Sequence, residues 1–140
     1  MNTRNLKILK MNEISNYNKY LAYEKGKLKV EKISLEKIME KFDSPIFCYS
    51  VNQIKDNFFN LRDSFKKIKP FICYAVKANF NDKILKVISE LGLGADVVSV
   101  GELKKSLKSG IRSNKIVFSG VGKTDYEIKF ALKKNIKQIN

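Results

Sequence analysis

From Ser44 onward, short apolar runs alternate with apolar positions at helical spacing. The run at residues 45–49 leads into Ile54, Phe58, Leu61 and Phe65, and the run at 71–76 into Ile84, Val87, Ile88 and Leu91. The run at 95–98 leads into Leu103 and Leu107, and the run at 116–118 into Ile128, Ala131 and Leu132. A fifth apolar run occupies residues 136–139. The runs recur about every 20 to 25 residues, the length of a strand, a helix and two short loops. Strands apolar on both faces belong to a parallel sheet covered by helices, so the pattern predicts an α/β fold. Periodicity leaves open whether the sheet is doubly wound or part of a (β/α)8 barrel. Three predicted helix starts carry capping-box spacing: Ser50 with Gln53, Ser99 with Glu102, and Thr124 with Glu127. Local chemistry and apolar period therefore agree on where strands hand over to helices.

The first 33 residues read differently. Tyr17, Tyr20, Leu21, Tyr23, Leu28 and Val30 flank Glu24-Lys25-Gly26-Lys27, which predicts two short strands joined by a turn. A short helix is expected next, with Ser34 as N-cap, Leu35, Ile38, Met39 and Phe42 on one face, and Pro45 as its stop. Four βα units and the start of a fifth strand cannot close an eight-stranded barrel, which needs about 250 residues. A chain ending on an apolar parallel edge is expected to be truncated.

Composition narrows the function classes. With 44% hydrophobic and 30% charged among 140 residues, the chain is globular and not a disordered tail. No stretch approaches the roughly 18 apolar residues of a membrane span. The basic opening at residues 1–10 runs into Asn12, Glu13, Ser15 and Asn16 instead of an apolar signal core, so no membrane association and a cytoplasmic location are expected. Lys and Arg number 28 against 14 acids, a net charge of +14 that raises a basic nucleic-acid-binding domain as the alternative class. Arginines stand only at Arg4, Arg62 and Arg112 and the lysines are scattered, which favours a solvated lysine surface and no nucleic-acid partner. Lysine also lacks the planar fork that reads base edges. The absence of His excludes a Ser-His or Cys-His base and a His-bearing metal cluster within these residues. Cys48 and Cys73 lie in strand-like runs and read as small buried thiols; neither a disulfide framework nor a metal site is signalled.

Two glycine-bearing stretches fail as nucleotide-binding motifs. Gly122-Lys123-Thr124 resembles the end of a phosphate loop, but Val117 stands where its first glycine belongs. Gly92-Leu93-Gly94 precedes a strand and has Val97 where a third glycine is required, so a helix end and a tight turn account for it. Lys77 is more informative, because it ends the apolar run at 71–76, at the strand edge where α/β folds place reacting groups. By position alone it is either the first solvated residue past a buried strand or an amine whose proton affinity is lowered by low-dielectric walls, able to condense with an aldehyde.

Three ordered motifs decide between these. Tyr74-Ala75-Val76-Lys77-Ala78-Asn79, then Gly92-Leu93-Gly94-Ala95-Asp96-Val97-Val98-Ser99-Val100-Gly101-Glu102-Leu103, then Ile116-Val117-Phe118-Ser119-Gly120-Val121-Gly122-Lys123-Thr124 resemble, in order and spacing, the amino-terminal half of the diaminopimelate decarboxylases. That family belongs to the pyridoxal-phosphate enzymes of the alanine-racemase-like barrel class. The first motif is shared with ornithine and arginine decarboxylases; the other two point to the diaminopimelate branch, with another decarboxylase or racemase of the class as the alternative. The resemblance implies a partial (β/α)8 barrel over residues 34–140, with the hairpin of residues 1–33 belonging to a second, β-rich domain. It implies that Lys77 is the catalytic lysine holding pyridoxal 5′-phosphate, that Asp96 lies near it and tunes its charge, and that Glu102, Ser119 and Gly120 line the site. It further implies a cytoplasmic homodimer that converts meso-2,6-diaminopimelate to L-lysine and carbon dioxide. Val100 departs from the small residue common at its position, a mild change at a helix start. The family's cofactor-stacking histidine, glycine-rich phosphate loop, pyridine-pairing acid and partner-supplied Cys-Glu motif correspond to stretches beyond Asn140, so these 140 residues alone are expected to be inactive and poorly soluble.

Overall fold

Leu21 pairs with Val30, and Glu24 with Lys27, across the turn Lys25-Gly26, so the expected hairpin forms from β1 (Leu21–Glu24) and β2 (Lys27–Val30). The computed structural model describes residues 14–65 and 67–140; the basic opening at residues 1–10 lies outside them. Two elements were not foreseen: a helical turn α1 (Ile14–Tyr17) and a third strand, β3 (Ile33–Ser34), which pairs antiparallel with β2. Ser34 caps α2 (Leu35–Met39) as expected, accepting the Lys37 amide at 3.4 Å. Between β2 and β3 the chain turns at Glu31, and its carboxylate accepts the Ser50 hydroxyl at 2.5 Å and the Asn52 amide at 3.2 Å. Those bonds, Ser50 foremost, hold the Glu31 carboxyl below its ordinary value and fix the start of α3 (Val51–Ser64).

Residues 45–49 correct the expectation of a strand, and with it that of a buried thiol at Cys48. They form no ladder, Phe47 is 91% exposed and Cys48 is exposed. An apolar run becomes a strand only where a neighbour satisfies its amides and carbonyls, and no strand among the described residues pairs with this one.

The chain divides into two units, Met1–Asn60 and Leu61–Asn140. The second holds a four-stranded parallel sheet in the order β4 (Cys73–Ala75), β5 (Gly94–Val97), β6 (Ile116–Phe118) and β7 (Gln138–Ile139). Helices α4 (Asp82–Glu90), α5 (Val100–Lys108) and α6 (Asp125–Lys133) connect them, each strand pairing with the next in sequence. This is the strand order of a growing barrel wall and not that of a doubly wound sheet, whose order reverses. Ala95, Val97, Ile116 and Phe118 are completely buried on one sheet face, with Leu85 of α4, Leu103 of α5 and Ala131 of α6. By alternation the opposite face carries Cys73, Ala75, Asp96 and Val117, each of intermediate exposure. The helical stripes are turned slightly from those read in the sequence: Leu85 and Ser106 are buried, while Leu132 is 61% exposed.

Gly94 explains why a glycine opens β5. A Cβ there would collide with the Lys115 carbonyl oxygen and lie 2.7 Å from Cys73 Sγ and 2.8 Å from the Phe71 ring; Cys73 lies on the paired strand β4 and Lys115 directly precedes β6. Gly94→Ala is expected to lower stability by about 3 kcal/mol or more, as overpacking against immovable backbone does. Urea unfolding of the two proteins side by side checks this, and an unchanged midpoint would refute the close approach.

Candidate functional site

β4 ends at Ala75, one residue earlier than the apolar run suggests, and Val76–Ala78 forms a single 3-10 turn. Val76 is completely buried beneath this turn, whereas Lys77 at its centre is exposed. The turn thus anchors an apolar side chain in the core and leaves the adjacent amine at the carboxyl end of the sheet. Tyr74 Oη donates to the Asn79 carbonyl at 3.1 Å, spanning the turn. The Asn79 side chain accepts the Asn81 amide at 2.9 Å, and Asn81 in turn caps α4.

Asp96 lies on β5 opposite Ala75, two residues before Lys77 in the neighbouring strand. Its Oδ1 is buried and has no hydrogen-bond partner among the described residues. Cys73 occupies the same sheet face; burial, and secondarily the Asp96 charge, push its thiol pKa up. Ser119 and Gly120 follow β6 directly. The Ser119 amide extends the ladder to Val97 at 2.8 Å and its hydroxyl accepts the Asn140 side chain at 3.4 Å. Gly120 turns the chain at φ +93°, where a Cβ would stand 3.4 Å from Val98 Cβ. Lys123 Nζ then donates to the carbonyls of Gly120 at 2.5 Å and Asn140 at 2.6 Å, closing the loop after β6. Lys77, Asp96, Ser119 and Gly120 therefore come to one end of the parallel sheet, from three successive strands. Glu102 reaches the same end, but its Oε2 accepts the Val98 amide at 2.9 Å, which gives that oxygen a loop-holding task.

The capping pattern needs correction in two of three cases. Thr124 and Glu127 form the complete reciprocal box. Ser99 accepts the Glu102 amide, but Glu102 bonds Val98 and not Ser99; Ser50 accepts the Gln53 amide, but Gln53 Oε1 accepts from Asn18. In each, a donor other than the N-cap amide occupies the side-chain oxygen that would have closed the box: the Val98 amide on Glu102 and the Asn18 side chain on Gln53. Glu127 does more than its motif announces: Oε2 accepts the Thr124 amide at 3.0 Å while Oε1 accepts the Val100 amide at 2.9 Å. One carboxylate thus joins the starts of α5 and α6, and with them the loops after β5 and β6. The spacing of Thr124 and Glu127 predicts the first bond, and nothing local predicts the second. The Tyr74 bond was also missed, its only signal being a polar-tipped aromatic within an apolar strand.

The model of the family described as pyridoxal-dependent decarboxylase, pyridoxal binding domain, matches residues 51–140. The chain belongs to this family. It is 44% identical over 130 residues to the diaminopimelate decarboxylase of Aquifex aeolicus, covering 93% of this chain and 30% of that protein. It is 48% identical over 105 residues to the diaminopimelate decarboxylase of Helicobacter pylori strain J99, covering 75% and 26%. The crystal structure of diaminopimelate decarboxylase from M. jannaschii in co-complex with L-lysine superposes with a TM-score of 0.83 at 36% identity, covering 88% of this chain and 30% of that one. The chain thus spans less than a third of the length of these relatives. Membership makes pyridoxal phosphate the cofactor, and the sheet end fits such a group. It offers an exposed primary amine, a buried carboxylate oxygen without a partner on the adjoining strand, and a glycine turn that keeps the third strand end open.

The amides of Val100 and Thr124 hold the Glu127 carboxyl below its ordinary value. A folded-state value below the unfolded one gives stability that is present above the unfolded pKa and lost as pH falls through the folded one. Glu127→Gln is expected to remove this part of the acid dependence. Unfolding midpoints taken between about pH 6 and pH 3 should fall more steeply for the parent than for the variant; parallel curves would exclude the role.

Proposed function

We propose that the natural protein is a diaminopimelate decarboxylase that converts meso-2,6-diaminopimelate to L-lysine and carbon dioxide. The observation that carries this reading is the 44% identity to such an enzyme across 130 residues, 93% of this chain. The L-lysine held by the M. jannaschii relative is the product this reaction requires. In this reading Lys77 Nζ holds the cofactor's aldehyde carbon, and Asp96 supplies negative charge on the adjoining strand, favouring a proton on a nitrogen at the sheet end. Ser119 and Gly120 line the far side of the opening, and Glu102 and Glu127 keep the intervening loops in place through backbone amides. The chemistry the cofactor supplies when bound is a sink for the electron pair left at the carbon that loses carbon dioxide.

The hairpin sheet of the first unit is assigned to a second, β-rich domain, and the enzyme to a cytoplasmic homodimer without a nucleic-acid or membrane partner. Among the described residues no helix is long and apolar enough to cross a membrane. Lysines dispersed over the chain, with three arginines, suit a solvated surface better than a nucleic-acid groove.

The natural protein should release carbon dioxide from meso-diaminopimelate with matching formation of lysine, and far less from lysine or ornithine. Lys77→Ala should abolish both turnover and the borohydride-fixed cofactor at residue 77. Retained turnover in that variant, or a preference for ornithine, would overturn the assignment.

A further inference from the structure

The turn that presents Lys77 has little to hold it from within. It is three residues long, its N-cap Ala75 contributes no side-chain bond, and 3-10 hydrogen bonds are poorly aligned. Its near end is fixed by Val76, which is completely buried. Its far end meets the hydroxyl of Tyr74, which donates to the Asn79 carbonyl at 3.1 Å. Tyr74 is itself set by the sheet, since it lies in β4 opposite Ala95, a residue with no exposed surface. A phenol has two side-chain torsions, so its ring transmits the position of the strand to the loop with little slack.

We propose that Tyr74 is a positioning residue for Lys77. By fixing the Asn79 carbonyl, its hydroxyl sets the backbone of residues 76–78 and so the direction from which the lysine amine meets its partner. This rests on the reading of Lys77 as the cofactor-holding lysine. Tyr74 acts on Lys77 through the backbone of the turn. Its contribution is orientation, which acts on the rate at which the amine and the aldehyde reach a productive geometry.

The test compares the natural protein with Tyr74→Phe and Asn81→Ala, each stripped of cofactor and mixed with pyridoxal 5′-phosphate. Borohydride-fixed label on residue 77 is followed with time, and the pH midpoint of the bound-cofactor absorbance is recorded. Tyr74→Phe keeps the ring and is expected to slow attachment about fivefold, the ratio that one neutral hydrogen bond supports, and to displace the pH midpoint. Asn81→Ala removes the α4 cap, where the Asn81 side chain accepts the Lys83 amide at 2.9 Å, and leaves the Tyr74 bond intact. It should lower the thermal midpoint yet attach cofactor at the parent rate. Parent-like attachment and pH midpoint in Tyr74→Phe overturn the positioning role alone, as does equal slowing in Asn81→Ala, which would make the effect one of stability. A parent protein that takes up no label at residue 77 overturns the role of Lys77 itself and this inference with it.

Discussion

One face of the parallel sheet lies under α4, α5 and α6, and this burial decides where every chemical group of the second unit goes. Ala95, Val97, Ile116 and Phe118 have no exposed surface, so β5 and β6 are locked in phase. Side chains along a strand alternate, and a slip of one residue would exchange the two faces. Such a slip on β5 would drive the Asp96 carboxylate beneath the helices and turn Val97 outward. Burying an ionised carboxylate without a partner costs far more than burying valine gains. The apolar core therefore places Asp96 on the opposite face, next to the strand that leads into the Lys77 turn, before any interaction between polar groups is considered.

Burial fixes the strands but not the loops between them, and here carboxylates take over. Glu31, Glu102 and Glu127 all bond backbone amides at or next to a helix start, although the chain holds twice as many basic side chains as acidic ones. Helix starts leave amides unpaired and carry partial positive charge, so an acid there satisfies a donor and the helix dipole at once. Other acids meet lysines on the surface, as Glu36 does with Lys27 and Asp82 with Lys105. Pairs of that kind contribute about 0–1 kcal/mol each. The acids that shape the molecule are thus the few placed against backbone, and Glu127 matters most to the sheet end because its two oxygens serve two helices.

Periodicity made the second unit legible to within about a residue or two, since its strands are short apolar runs with near neighbours in sequence. β6 lies where the run at 116–118 predicts it, and Ser99 and Thr124 cap the helices expected of them. The same reasoning failed at residues 45–49, because an apolar run announces a willingness to pair and not the presence of a partner. Cys48 was misjudged for the same cause. Residue spacing found Lys77, Asp96, Ser119 and Gly120 only with the help of a family resemblance, for none of them is unusual where it stands in the chain. What spacing could not carry were bonds between distant elements, such as Glu127 to Val100, whose partners lie 27 residues apart.

Two buried polar atoms in the described residues lack partners, Asp96 Oδ1 and Ser106 Oγ, and they differ in kind. Ser106 is fully buried on α5, where a neutral hydroxyl can rotate toward a carbonyl of the preceding turn. Asp96 Oδ1 has no such rotor, since a carboxylate oxygen is an acceptor, and leaving a buried acceptor unmet costs about 1–3 kcal/mol. A structural role would be served better by alanine or valine on that face, beside Ala75 and Val117. Polar groups retained against the local interest of packing are characteristic of sites that meet a ligand. The unmet oxygen thus stays available to accept a hydrogen bond on the strand that adjoins the one leading into the lysine turn.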